Sequence, residues 1–359
     1  MNDMGPDAHS AKHRWAGGPR RKPRTATSFV IGVMVGLSVV LLDKRLFGVP
    51  LPAPGAGGGP NRSGATSPTA LPPKTWKAVL GRAWSEFNSD HIPAVAGGAT
   101  FFGLLALFPA LGVFVSLYGL VADVEQARQQ VMNLRGVLPE GAISVLSEQM
   151  ARLASTPHSS LGVAFATSLA VSLWSSNAGV KALIAGLNVA YEETEKRNFV
   201  LLNLVSLSFT VGAVVLGFAG ATLPRLLAAA DLKDSAIVGI LQWPALLFVL
   251  CALLSILYRY GPSRAHARWR WITPGSAFAA IAWLGMSLLF SVYVANFGHY
   301  DKTYGSLGAI VGFMTWIWLS LTVVLVGAEL NSELEKQTSS DTTTGPPQPS
   351  GQRGAAVAD

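Results

Sequence analysis

The polar residues that could do chemistry are few, and most lie in or beside apolar stretches. Asn177, Lys181 and Asn188 are separated by four and seven residues. At 100° per residue they fall within about 40° of one another on one helix face, and Glu195 continues the stripe. Counting ~20 residues inward from Leu161 sets Lys181 near a membrane boundary. The same count from Gly305 sets Glu329 at similar depth, with Asn188 and Asn331 just beyond. Their expected chemistry is hydrogen bonding and charge pairing at the edge of a bilayer. Lys181 and Glu329 are expected to approach each other. The plainer expectation is that Lys181 snorkels to the interface and Glu329 is solvated at a helix end. On the other side, Tyr293, Asn296, Tyr300, Asp301 and Tyr304 collect around a short turn, with an aromatic belt as the plainer reading.

The chemistry this set excludes is broad. No GxSxG, HExxH or Walker-type phosphate loop occurs in the chain, so nucleotide-driven or hydrolytic machinery has no recognisable carrier. The six histidines (His9, His13, His91, His158, His266, His299) fall in tails or loops without ligand spacing. Cys251 stands alone, which excludes an intrachain disulfide and a cysteine-based metal site. No catalytic residue, cofactor or metal is expected.

Helices that could position these residues follow from the distribution of charge. Half the 359 residues are hydrophobic and only 13% are charged, against about 25% in soluble domains. Stretches 94–122, 199–222, 236–258 and 272–298 contain no Asp, Glu, Lys or Arg, and each is long enough to cross a hydrocarbon core of ~30 Å. Two further spans are expected over about 161–191 and 305–328. The fold class is therefore an all-α integral membrane protein, a six-helix bundle. Residues 74–89 add an amphipathic helix at its N-terminal side, with Trp76, Val79, Leu80, Ala83, Trp84 and Phe87 in one stripe suited to the interface. Pro109, Gly239 and Pro244 interrupt spans one and four. Small-residue pairs Gly308/Gly312 and Gly275/Ala279 suggest close helix contacts. Residues 123–158 read as a structured loop with a helix opening after Pro139.

Residues 1–73 comprise a basic tail, a short apolar run at 28–42 favoured as re-entrant or non-spanning, and a Pro/Gly-rich linker. Residues 336–359 read as a disordered cytoplasmic tail. The net charge of +7 reflects loop and tail residues and fits topology better than nucleic-acid binding. Arg259, Arg264, Arg268 and Arg270 place their loop in the cytoplasm. Spans alternate, so both ends of the 74–335 core are expected there too.

Three stretches are more specific than hydropathy: DHIPAVAGGATFFGLLALFPALGVFVSLYGLVAD from Asp90, SLWSSNAGVKALIAGLNVAYEETEKRNF from Ser172, and the Trp271–Glu335 segment with its YGSLG entry and GAELN exit. Together they resemble the YihY/BrkB family of bacterial inner-membrane proteins over about 75–335. The resemblance implies an inner-membrane location without a settled biochemical activity; the ribonuclease BN label on some members is widely regarded as a misassignment. Transport or accommodation of a lipid or other amphiphile is the leading functional expectation. A non-catalytic scaffold for the envelope is the alternative, and a ribonuclease ranks last. Membrane lipids are the expected partners, nucleic acid is not, and a homo-oligomer is left open.

Overall fold

The computed structural model describes residues 63–118, 129, 131–132, 140–154, 163–229, 236–297 and 307–359. The apolar run at 28–42 and the candidates Asp301 and Tyr304 lie outside them. The chain divides into two units, Met1–Gly48 and Val49–Asp359, and everything below concerns the second. The described regular structure is helical: α1 (Pro73–Ser89), α2 (Ile92–Tyr118), α3 (Glu140–Ala154), α4 (Val163–Ala190), α5 (Phe199–Ala229), α6 (Ala236–Tyr260), α7 (Trp269–Phe297) and α8 (Leu307–Lys336). Among the described residues, four segments are long and apolar enough to cross a membrane: Ile92–Phe114, Phe199–Gly217, Trp269–Val294 and Gly308–Lys336. Pro244–Tyr260 is a shorter apolar helix segment.

Several hydroxyl side chains within these helices are satisfied locally. Ser206, Thr210, Ser255 and Ser276 each donate to the carbonyl four residues earlier. That removes the cost of an unmet hydroxyl in an apolar setting. Packing between helices uses small residues. A Cβ at Gly179 of α4 would lie 3.0 Å from Ala106 Cβ and 3.1 Å from Gly103 Cα of α2. On α7, Gly275 meets Gly327 of α8 so closely that a Cβ would fall 2.5 Å from Asn331 Oδ1. The expected Gly275/Ala279 contact is thus present, with Gly327 as its partner. A Cβ at Gly312 would meet nothing within 4 Å, so that half of the expected Gly308/Gly312 pair is not a contact. Trp283 and Trp316 donate across the α7–α8 interface to Ser320 and Ser287.

α1 packs against α8 and α2 through Val79 and Ala83, while Leu80 and Trp84 of the same stripe stay exposed. It therefore has a protein-facing edge and an apolar outer edge. α3 buries Ile143 and Met150 and packs on α8 and α2.

Two expectations need correction. α8 does not end near 328 but continues to Lys336, so Glu329 is not solvated at a helix end: it is 2% exposed. Composition suggested a disordered tail over 336–359, yet residues 337–359 fold back on the helix ends. Ala265 N donates to Gly354 O, Arg268 N to Thr342 O and Ala356 N to Glu193 Oε1, and Val357 joins the main apolar core. The tail orders because its backbone groups find buried partners that composition does not reveal.

Candidate functional site

The last two turns of α8 concentrate buried polar residues. Glu329, Asn331, Ser332, Glu333 and Glu335 are each no more than 2% exposed. Carboxylates are almost never this buried unless paired, and the C-terminal end of a helix dipole opposes them further. Successive positions of a helix point in different directions, so Glu329, Glu333 and Lys336 share one face while Asn331 and Glu335 share another, roughly 200° away.

On the first face, Glu333 accepts from Arg82 of α1 at 3.0 Å and from Lys336 at 2.7 Å, and Lys336 also donates to Glu192. Glu329 has no ion pair among the described residues. Its Oε1 has no partner among the described residues, and Asp90 of the α1–α2 turn is among the charged groups near it. Burial, then the neighbouring Glu86 and Glu192, push Asp90 up to about 6.

The second face is a lock. Arg264 donates to both oxygens of Glu335, at 3.2 and 2.7 Å, with both side chains at most 1% exposed. Thr342 of the tail donates to the same carboxylate at 2.7 Å. The guanidinium lies 5.0 Å over the ring of Tyr191. Burial alone would lower the Arg264 pKa, but the Glu335 charge outweighs it and raises it. Asn331 accepts from Gly275 N at 2.8 Å and donates to Tyr191 at 3.3 Å.

Asn188 joins two loops: it donates to Glu195 at 3.0 Å and accepts from Ser263 N at 2.8 Å. Glu195 is partly desolvated, yet hydrogen bonds from Arg197 and Asn188 hold its pKa down. Glu193 is bound by Lys196 at 2.7 Å and by Ala356 N at 2.7 Å. Burial and the nearby Arg259 hold His266 below its usual range.

The three residues expected on one face of α4 therefore part company. Asn177 is 1% exposed and donates to Asn203 of α5 at 3.2 Å. Lys181 lies over the rings of Trp174 and Phe199, 5.6 and 5.9 Å from their centroids. Glu329 makes no ion pair with it. Depth alone could not separate these faces. Sequence reasoning passed over Asp90, Glu335 and the internal role of Arg264. The signal for them was the run of acids closing α8, which demands cations from elsewhere.

Beside this polar end runs an apolar groove of about 1180 Å³. α5 and α6 follow each other in the chain but scarcely pack together; α5 leans on α4 and α6 on α7. The gap between them has Val180 and Leu183 of α4 as its floor, Leu201–Leu216 on one wall and Leu253–Tyr260 on the other. It ends at Lys196, Arg197, Ser263 and His266. Gly212 lines it, and a Cβ there would meet nothing within 4 Å.

Residues 83–352 match the family model described as virulence factor BrkB. The ribonuclease-like protein YfkH of Bacillus subtilis is 32% identical over 276 residues, covering 72% of this chain and 96% of that protein. A UPF0761 membrane protein of Idiomarina loihiensis is 25% identical over 260 residues, covering 70% and 88%. Another from Tolumonas auensis is 26% identical over 270 residues, covering 70% and 83%. No solved structure matches the chain. With three quarters of its length in the family match and apolar helices of spanning length, the chain is a membrane protein of the BrkB family.

Proposed function

We propose that this protein accommodates an amphiphilic component of the bacterial inner membrane, a lipid, in the groove between α5 and α6, and that it catalyses no reaction. The groove carries this reading. An empty apolar furrow facing hydrocarbon forfeits dispersion contacts and is filled by chains. Its α5 wall, Leu201–Leu216, covers about 22 Å of helix, more than one leaflet of a ~30 Å core. Lys196, with its side chain 55% exposed, stands at the polar end where an anionic headgroup would sit. Lys181 is not among the lining residues. Six spans with both ends of the core in the cytoplasm complete the proposal, and the arginine-rich 259–270 loop supports that orientation.

Gly212→Phe tests it, because the open space around Gly212 takes a ring without collision. Native mass spectrometry of the protein extracted from bacterial membrane should show retained phospholipid for the parent and its loss for Gly212→Phe, and lipid redistribution in liposomes should fall likewise. Equal retention and equal redistribution would remove the groove reading. The scaffold reading, which the dense cross-bracing of the polar end favours, would then stand. A single cysteine at the exposed Arg270 in a Cys251→Ser background should be labelled only from the cytoplasmic side.

A further inference from the structure

α6 and α7 pack together, and a second, smaller pocket lies along their seam. It measures about 300 Å³, with Phe248, Cys251, Ala252 and Ser255 of α6 on one side and Trp269 and Thr273 of α7 on the other. Ile256 alone lines both this pocket and the groove. The walls suit hydrocarbon. The Ser255 and Thr273 hydroxyls already donate to the carbonyls of Cys251 and Trp269, so they demand nothing of an occupant. Phe248 and Trp269 are exposed, which opens the pocket to the outer side. Phe248, Cys251, Ala252, Ser255 and Arg259 recur at helical spacing on one face of α6. From Phe248 to Arg259 that face rises about 16 Å, close to the depth of one leaflet of a ~30 Å core.

Arg259 ends this face, and it differs from the other arginines nearby. Its guanidinium lies 4.6 Å over the ring of Trp269 and 5.5 Å over that of Tyr260. Nη1 donates to Ala267 O, and Nε is buried without a partner among the described residues. Arg197 and Arg264 hold carboxylates, whereas Arg259 forms no ion pair among the described residues. Residues 259–270 contain four arginines and no acid, and Trp269 opens α7, so the positive end of that helix adds to the field. We infer that the seam is a lipid site separate from the groove: one acyl chain of an anionic phospholipid lies along Phe248–Ser255 and Arg259 binds its phosphate. A planar cation held between aromatic rings presents its fork to phosphate with little further ordering. The loop offers no carboxylate to the ammonium of a zwitterionic headgroup, which is why the occupant is anionic. The inference does not depend on the groove.

Photo-crosslinking of the full-length protein in phosphatidylcholine nanodiscs provides the test. The discs carry a trace of phosphatidylglycerol or phosphatidylcholine with a diazirine in one acyl chain, and adducts are mapped by residue. Phe248, Cys251 and Thr273 report this pocket, since none of them lines the groove. The phosphatidylglycerol probe should mark them about tenfold more than the phosphatidylcholine probe, the step that one charge-assisted contact supplies. Arg259→Gln should remove that preference. Arg259→Lys loses the planar fork as well but keeps a phosphate-binding charge, and should restore most of it. Arg270→Gln, which takes a charge from an exposed position of the same loop, should leave the preference intact, and so should Gly212→Phe, which obstructs the groove. Equal marking by the two probes in the parent would overturn the site. So would a loss in Arg259→Lys equal to that in Arg259→Gln, which would make Arg259 a structural brace only. A matching loss in Arg270→Gln would reduce the effect to surface charge, and one in Gly212→Phe would return the lipid to the groove; either overturns the site.

Discussion

Substituting Gly275 by alanine puts one methyl group where α7 and α8 touch. The added Cβ would lie 2.5 Å from Asn331 Oδ1 and closer still to Gly327 O. Since real Cβ contacts under 3.0 Å essentially do not occur, the helices must separate. Overpacking of this kind costs about 1–3 kcal/mol. Separation also breaks the bond from Gly275 N to Asn331, 2.8 Å in the parent. Asn331 is 0% exposed, and leaving a buried polar group unmet costs about 1–3 kcal/mol more. The two terms share one displacement and are not fully additive, so a loss of roughly 2–5 kcal/mol is expected. Detergent-solubilised protein followed by size-exclusion after a heating series should show a clearly lowered unfolding temperature. Gly312→Ala is the control. It removes glycine from a helix interior with nothing within 4 Å and should change stability by about 0.5 kcal/mol or less. If Gly275→Ala is as stable as the parent, or Gly312→Ala is equally harmful, the close α7–α8 approach is wrong.

Arg264→Leu should destabilise by about 3–5 kcal/mol, because Glu335 would be left charged and buried; Arg264→Leu combined with Glu335→Leu should recover much of that loss in the same thermal assay. Val357→Ala should cost about 1.6 kcal/mol for its two lost methyl carbons if the tail is packed as described, against no effect for a tail in solvent. Acid should weaken the loop end for a separate reason. Glu195 and Asp341 both titrate below their ordinary values, Glu195 through its Arg197 and Asn188 bonds and Asp341 through Gln348 N and Thr343. Their contribution is complete above the ordinary carboxylate range and is lost as pH falls through their lowered values. Hydrogen-exchange protection of the 337–359 backbone, corrected for the intrinsic rate at each pH, should accordingly fall at acid pH, and Glu195→Gln with Asp341→Asn should blunt the fall.

Much of the bundle could be seen in the chain because uncharged stretches of this length have one outcome in lipid. α2, α5, α6 and α7 start within three residues of the expected positions. The α8 end was misplaced because acids ordinarily mark a boundary. Glu329, Glu333 and Glu335 are buried instead, under α1, the loops and the tail, and no local pattern shows that cover. The tail was misjudged on composition for a related reason: its Pro, Gly and Ser residues build no core of their own, but Val357 completes one made elsewhere. On α4 the helical stripe grouped Asn177, Lys181 and Asn188 within a wedge that packing then divides. The two asparagines are buried, while Lys181 lies between aromatic rings at the outer side.

What remains is a pattern of matching that sequence order hides. Glu333 has Arg82 and Lys336; Glu335 has Arg264; Glu193 has Lys196; Glu195 has Arg197; Glu192 has Lys336. Arg82–Glu333, Arg264–Glu335 and Lys336–Glu192 tie distant segments to the bundle end, while Lys196–Glu193, Arg197–Glu195 and Lys336–Glu333 brace it locally. Against that background an unmatched Glu329 is not explained by stability. A buried carboxylate without a cation costs folding energy, and replacing it by a neutral amide of the same shape should remove that cost.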